Sequence, residues 1–219
     1  MSLQLFAHPF SSYCWKVLIA LWENDIAFTY RPLGADHPEN EAEWTRRWPL
    51  RKMPVLLDGE QVVVETSVII EHLQAFHPGP VRLIPDDPAA AIEVRMLDRI
   101  SDDYVMTPMI KLVFDAMRPE GEKDPAGVAD AEKTLDAIYP WLDARLAGRE
   151  WMAGAEFSLA DCAAAPALFY ADWARPIPES CVNLTAYRSR ANARPTIARA
   201  IDEARPYRKF FPLGAPDRD

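Results

Sequence analysis

Strand-forming patterns in this chain of 219 residues stop at Val64, and past the prolines at 78 and 80 only helical periodicity remains. That asymmetry restricts the fold more than any other feature. A mixed α/β unit must come first and an all-helical unit second. Leu3-Gln4-Leu5-Phe6 reads as a short strand that ends at the His8-Pro9 step, because a residue before proline is pushed out of the helical region. From Ser12, the residues Cys14, Val17, Leu18, Leu21 and Trp22 recur at spacings of three and four, which puts them on one helix face. Asn24-Asp25 interrupts that helix, and Ala27-Phe28-Thr29-Tyr30 reads as a second strand. The polar stretch from His37 to Trp48 reads as a short helix. Val55-Leu56-Leu57, the turn-prone Asp58-Gly59 and Val62-Val63-Val64 form a hairpin signal. Thr66 is expected to cap a helix that carries Ile69, Leu73 and Phe76 on one face. The order is β-α-β-α-β-β-α.

Pro78-Gly79-Pro80 and Asp86-Asp87-Pro88 bracket a linker. The predicted division is an α/β domain over residues 1–78, a linker over 79–87 and a helical domain over 88–219. In the second domain Val94, Leu97, Ser101 and Tyr104 predict one helix, and Ala131, Leu135, Ile138, Leu142 and Leu146 another. Ser158-Leu159-Ala160-Asp161 is a helix-start signal with a hydroxyl at the cap, an acid three residues on, and Phe157 in front as a staple. Asp161 is read as part of that box and not as a catalytic group. Pro108, Pro140 and Pro166 fall inside helical patterns, so kinks or early breaks are expected there.

A net charge of −9 leaves no basic footprint for nucleic acid or anionic lipid. The N-terminal residues lack a basic and apolar leader pattern, and no apolar run reaches the length of a membrane span, so neither a signal peptide nor membrane insertion is expected. Cys14, Cys162 and Cys181 are odd in number and far apart, which suits a reducing, cytoplasmic setting and not a disulfide framework. His8, His37, His72 and His77 show no metal-ligand spacing; no metal is expected, and His72 is placed on the polar side of its helix.

The chemistry is concentrated in two segments. Lys52-Met53-Pro54-Val55 reads as an edge strand entered through a proline, and Glu65-Thr66 puts a carboxylate and a hydroxyl at a helix start. Together they can hold a short peptide by its backbone and by its terminal carboxylate and ammonium groups. A peptide-like thiol is the ligand this suggests.

Four segments in this order and spacing resemble the cytosolic glutathione transferases of the serine type: Phe10-Ser11-Ser12-Tyr13-Cys14-Trp15-Lys16-Val17, Pro49-Leu50-Arg51-Lys52-Met53-Pro54-Val55-Leu56, Glu65-Thr66-Ser67-Val68-Ile69-Ile70-Glu71-His72-Leu73, and Phe157-Ser158-Leu159-Ala160-Asp161. The resemblance covers essentially the whole chain. It implies a thioredoxin-like first domain, an all-helical second domain, a homodimer, and glutathione as co-substrate. It also implies that Ser11, with Ser12 as the fallback, donates a hydrogen bond to the glutathione thiolate. A free thiol has a pKa of ~8.5 and only its thiolate is a good nucleophile, so such a donor at a helix N-terminus is useful chemistry. A plain capping role for Ser11 and Ser12 remains the alternative.

By the same resemblance Pro54 is cis and turns the Met53 backbone toward the cysteinyl part of glutathione. Lys52 meets the glycine carboxylate, Thr66 the γ-glutamyl carboxylate, and Glu65 the ammonium group. Ser11-x-x-Cys14 lacks the attacking cysteine of a redox pair, and Cys14 falls on the apolar helix face. The electrophile pocket is expected between the domains, with Phe10, Tyr104, Met106 and Phe211 as candidates. The predicted activity is addition of the glutathione thiol to a small hydrophobic electrophile. Two alternatives remain. One is a zeta-like glutathione-dependent isomerase of the maleylacetoacetate type, which needs a cationic pocket that Arg99 and Lys111 could supply. The other is a non-enzymatic binding protein of the same fold.

Overall fold

The structure is a computed structural model that describes residues 3–219. The first unit runs β1 (Leu3–Ala7), α1 (Ser12–Glu23), β2 (Phe28–Pro32), α2 (Pro38–Arg47), β3 (Val55–Asp58), β4 (Gln61–Val63) and α3 (Thr66–Phe76). Its sheet has the order β2-β1-β3-β4, with β1 parallel to β2 and the other pairs antiparallel. Side chains alternate across a strand, so β1 feeds two cores. Leu3, Leu5 and Ala7 pack with α1 and α3, while Phe6 joins Leu33, Trp44, Val55 and Leu57 under α2. The hairpin closes at Asp58↔Gln61, and Gly59 takes a φ of 59° at the turn, a conformation that glycine adopts without a Cβ clash.

The second unit contains α4 (Pro88–Ile100), a π-helical segment (Ser101–Met106), α5 (Thr107–Ala116), α6 (Pro125–Leu146), α7 (Leu159–Ala174), α8 (Val182–Asn192) and α9 (Pro195–Ala204). Proline opens α2, α4, α6 and α9, where its missing N–H would have no helical partner in any case. Asp87 and Asp124 cap α4 and α6 by accepting from the amides of Ala90 and Gly127. The early breaks expected at Pro140 and Pro166 do not occur. Leu135, Tyr139 and Leu142 are buried around the first, α7 is buried along nearly its whole length around the second, and that packing outweighs the lost backbone bond. At Pro108 the run also continues, through the π-helical segment. There the Thr107 amide reaches back five residues to the Asp102 carbonyl, and the Thr107 hydroxyl bonds the same oxygen at 2.9 Å.

The two units share one core. Trp15 of α1 packs against Phe169 and Tyr170 of α7, with ring centroids 5.0 and 5.3 Å apart. The Tyr170 hydroxyl donates to the Phe10 carbonyl, and Arg194 forms a two-pronged pair with Glu23 at the end of α1. The connection between the units is pinned as well. Gln74 bonds both the amide and the carbonyl of Ile84, the Asn24 side chain accepts from Val81, and Leu159 donates its amide to Leu83.

Candidate active-site cleft

A cleft of about 310 Å³ lies between the units, lined by residues from both. Lys52, Met53 and Pro54 come from the entry to β3, and Glu65 and Thr66 from the start of α3. Tyr13 comes from the first turn of α1, Trp48 from the end of α2, and Arg99, Asp102 and Ile110 from the long helical run of the second unit. The Met53-Pro54 peptide bond is cis. Trp44 steadies the segment before it by donating its indole N–H to the Lys52 carbonyl at 3.1 Å.

Glu65, not Thr66, occupies the cap position of α3. It has a φ of 67° and makes no side-chain capping bond, so Thr66 is the first helical residue. The shift by one residue has a chemical consequence. The amides that open α3 have no side-chain cap, and Glu65 and Thr66 line the cleft, so the helix start can attract a carboxylate.

Beneath the cleft is a buried ionic cluster. Lys16 of α1 is 1% exposed. Its Nζ lies 2.5 Å from Asp98 Oδ1, 2.8 Å from Asp102 Oδ2 and 3.0 Å from Ser67 Oγ. Ser67 donates to Asp98 at 2.7 Å, and Arg99 donates to Asp102 at 3.1 Å. Burial holds the Asp102 carboxyl above its ordinary range, with Lys16 acting against that shift. Asp102 Oδ1 is buried without a hydrogen-bond partner on a residue that lines the cleft. An unpaired buried acceptor is costly, and its carboxylate adds negative charge to the wall of the cleft. Asp102 and Lys16 carry no local signal of this role, because each is an ordinary charged residue on an amphipathic helix until the fold closes over it.

Ser11 caps α1, with its Oγ accepting from the Cys14 amide at 3.4 Å, and neither it nor Ser12 is among the residues lining the cleft. A hydroxyl that accepts one bond still has its proton to donate. Tyr13, two residues on, lines the cleft, and burial pushes its phenol up to about 12, so it stays protonated. Cys14 is wholly buried, and burial pushes its thiol up to about 11.

The four electrophile-pocket candidates lie outside the cleft. Phe10 packs on Tyr170 and Tyr207, while Met106 and Phe211 are core residues. Tyr104 is 53% exposed on a separate groove with Ile100 and Trp141. Its helix turns Val105 inward, so the four-residue step from Ser101 wins over the three-residue step. Arg99 does point into the cleft, but Asp102 and Asp103 already pair with it. Lys111 does not line it; it bonds Asp124 at 2.6 Å. His72 is buried rather than on the polar side of α3, and together with His77 it bonds Asp58. Among the described residues no helix is long and apolar enough to cross a membrane, and the three cysteines are free.

With this geometry in view, the comparisons are specific. Residues 5–81 match the glutathione S-transferase N-terminal domain, and residues 105–195 match the C-terminal domain. Glutathione S-transferase GstB of Escherichia coli is 29% identical over 161 residues, covering 70% of this chain and 76% of the relative. A probable maleylacetoacetate isomerase of Vibrio cholerae is 28% identical over 219 residues, covering 94% and 98%. The crystal structure of a glutathione S-transferase from Methylobacillus flagellatus with glutathione bound superposes with a TM-score of 0.82 at 27% identity, covering 91% of this chain and 98% of that one.

Proposed function

The chain belongs to the glutathione S-transferase family, and from that premise we propose that it binds glutathione in the cleft and transfers its thiol to a small hydrophobic electrophile. The observation that carries this reading is the convergence of Lys52, the Met53 backbone behind a cis proline, Glu65 and Thr66 on one cleft. In this reading the γ-glutamyl carboxylate sits at the start of α3, and its ammonium group lies between Glu65 and the Asp102 carboxylate. The Met53 backbone pairs with the cysteinyl residue as a short antiparallel strand, and Lys52 meets the glycine carboxylate. Ser11 donates to the thiolate.

A charge-assisted hydrogen bond of about 1.5–3 kcal/mol would lower the thiol pKa by roughly one to two units at about 1.4 kcal/mol per unit. Tyr13 is the second reading for that donor, because it lines the cleft and Ser11 does not.

The isomerase reading draws support from the inward Arg99 and from the full-length likeness to the Vibrio cholerae protein. Against it, Arg99 is already neutralised by two carboxylates, and the lining balances Lys52 and Arg99 with Glu65 and Asp102. A dicarboxylate would find no net positive charge there. A homodimer is carried over from the family as an expectation, and the free cysteines suit a cytoplasmic setting. Calorimetric titration with glutathione, followed by conjugation assays with an activated aryl halide, tests the main reading. Absence of binding at millimolar glutathione would instead make the chain a non-enzymatic member of the family. Glutathione binding paired with isomerisation of a dicarboxylate and no conjugation would select the isomerase. A sedimentation result of monomer alone would remove the dimer.

A further inference from the structure

Asp58 ends β3 and opens the hairpin turn, whereas His72 lies on the last turns of α3 and His77 caps that helix. The fold brings these three side chains together at a point remote from the cleft. Both imidazole Nε2 atoms approach the same carboxylate oxygen, Asp58 Oδ2, at 3.0 Å from His72 and 2.7 Å from His77. One ligand atom from each residue falls within 4.8 Å of the others. The side chains are 17%, 7% and 28% exposed respectively, so the cluster is built into the structure and opens to solvent past His77. The His72 ring is steadied against Phe76, at 4.7 Å between centroids.

We propose that Asp58, His72 and His77 form a binding site for one divalent transition-metal ion of the Zn²⁺ type. Two imidazoles and one carboxylate are a donor set that suits Zn²⁺ and leaves a fourth position for water. Ligands held at ~2.0–2.1 Å around a tetrahedral ion stand about 3.3 Å apart. The nitrogen–oxygen distances therefore need to widen by about 0.3 and 0.6 Å. Coordination through Nε2 requires each ring to carry its single proton on Nδ1. The neutral rings and the carboxylate then leave one positive charge on the bound ion.

The site ties the end of α3 to the β3–β4 hairpin. At about 1.5 Å per residue, His72 and His77 lie roughly 9 and 16 Å along the helix from Thr66 at the cleft. Its role is to staple the first unit, and the proposal does not depend on the transferase reading.

The test uses the untagged full-length chain, stripped of metal with a chelator. Calorimetric titration with Zn²⁺ is expected to give one saturable site per chain. Co²⁺ is expected to give the visible absorption of a tetrahedral nitrogen–oxygen site, and Zn²⁺ to raise the thermal midpoint. His77→Ala removes a half-exposed ligand and Asp58→Asn a charged one. Each should weaken Zn²⁺ binding by at least about tenfold, since even loss of an outer-sphere partner commonly costs 10–100-fold. Glutathione affinity should not change. No saturable Zn²⁺ binding by the parent chain would overturn the proposal. So would Zn²⁺ affinity unchanged in His77→Ala, or equal competition by Mg²⁺, which prefers all-oxygen sites.

Discussion

Replacing Lys16 with Met removes the cation at the centre of the buried cluster while keeping most of its volume. In the native chain one ammonium group sits 2.5 and 2.8 Å from two carboxylates that are 2% and 5% exposed. At an effective dielectric constant of ~20, a unit pair at about 2.7 Å attracts by roughly 6 kcal/mol. Desolvation of the three groups offsets much of that, so the observable is the cost of stranding the carboxylates. Removing one partner of a buried pair costs about 3–5 kcal/mol. Arg99 still serves Asp102 and Ser67 still serves Asp98, so about 4 kcal/mol is expected.

The loss must depend on pH. Burial already raises the Asp102 pKa and Lys16 opposes the shift, so its removal raises that pKa further. An acid whose folded pKa exceeds its unfolded value takes up protons on folding, so stability falls as pH rises from the unfolded pKa through the folded one. The Met variant should therefore be close to the parent near pH 5 and fully destabilised near pH 8. Urea unfolding at both pH values and at fixed protein concentration measures this, and adding Asp98→Asn should recover part of the loss. A loss below about 1 kcal/mol near pH 8, or the same loss at both pH values, would show that the cluster does not carry the energy assigned to it.

Ser11→Ala should leave glutathione affinity nearly intact and reduce conjugation roughly 10–100-fold, the equivalent of a 1.5–3 kcal/mol bond; if Tyr13→Phe causes that loss instead, Tyr13 is the thiolate donor. Asp102→Asn should weaken glutathione binding by a similar factor, because the cleft wall loses the negative charge that faces the ammonium group; unchanged affinity by calorimetry would exclude that interaction. Asp161 accepts from the Met152 amide, the Ser158 amide and hydroxyl, and the Tyr187 hydroxyl. Asp161→Asn turns one acceptor into a donor and should cost about 2–4 kcal/mol in denaturant unfolding, without changing kcat in the fraction that remains folded.

Local chemistry was legible wherever neighbouring residues settle it. The hairpin, the Ser158–Asp161 capping box and the cleft residues from Lys52 to Thr66 could all be read this way. Contacts made at long range could not. Lys16 looks like a solvated helix residue until α4 and the π-helical segment bring Asp98 and Asp102 onto it. His72 looks polar-facing until β3 delivers Asp58. Tyr104 and Phe211 are large apolar residues of the kind that lines pockets, but one faces a separate groove and the other fills the core. Helix breaks at Pro140 and Pro166 do not occur, because buried packing around them overrides local propensity.

The pinned connection between the units bears on how this protein can be recombined. Gln74 grips both polar groups of the Ile84 backbone, and Asn24 holds Val81. A Cβ at Gly79 would come within 2.5 Å of Asn24. The connection therefore behaves as a strut cut to length rather than a tether. A chimera that grafts another helical half onto this α/β half must bring matching partners for Asn24, Gln74, Lys16 and Glu23, or its two halves will meet along a mismatched seam.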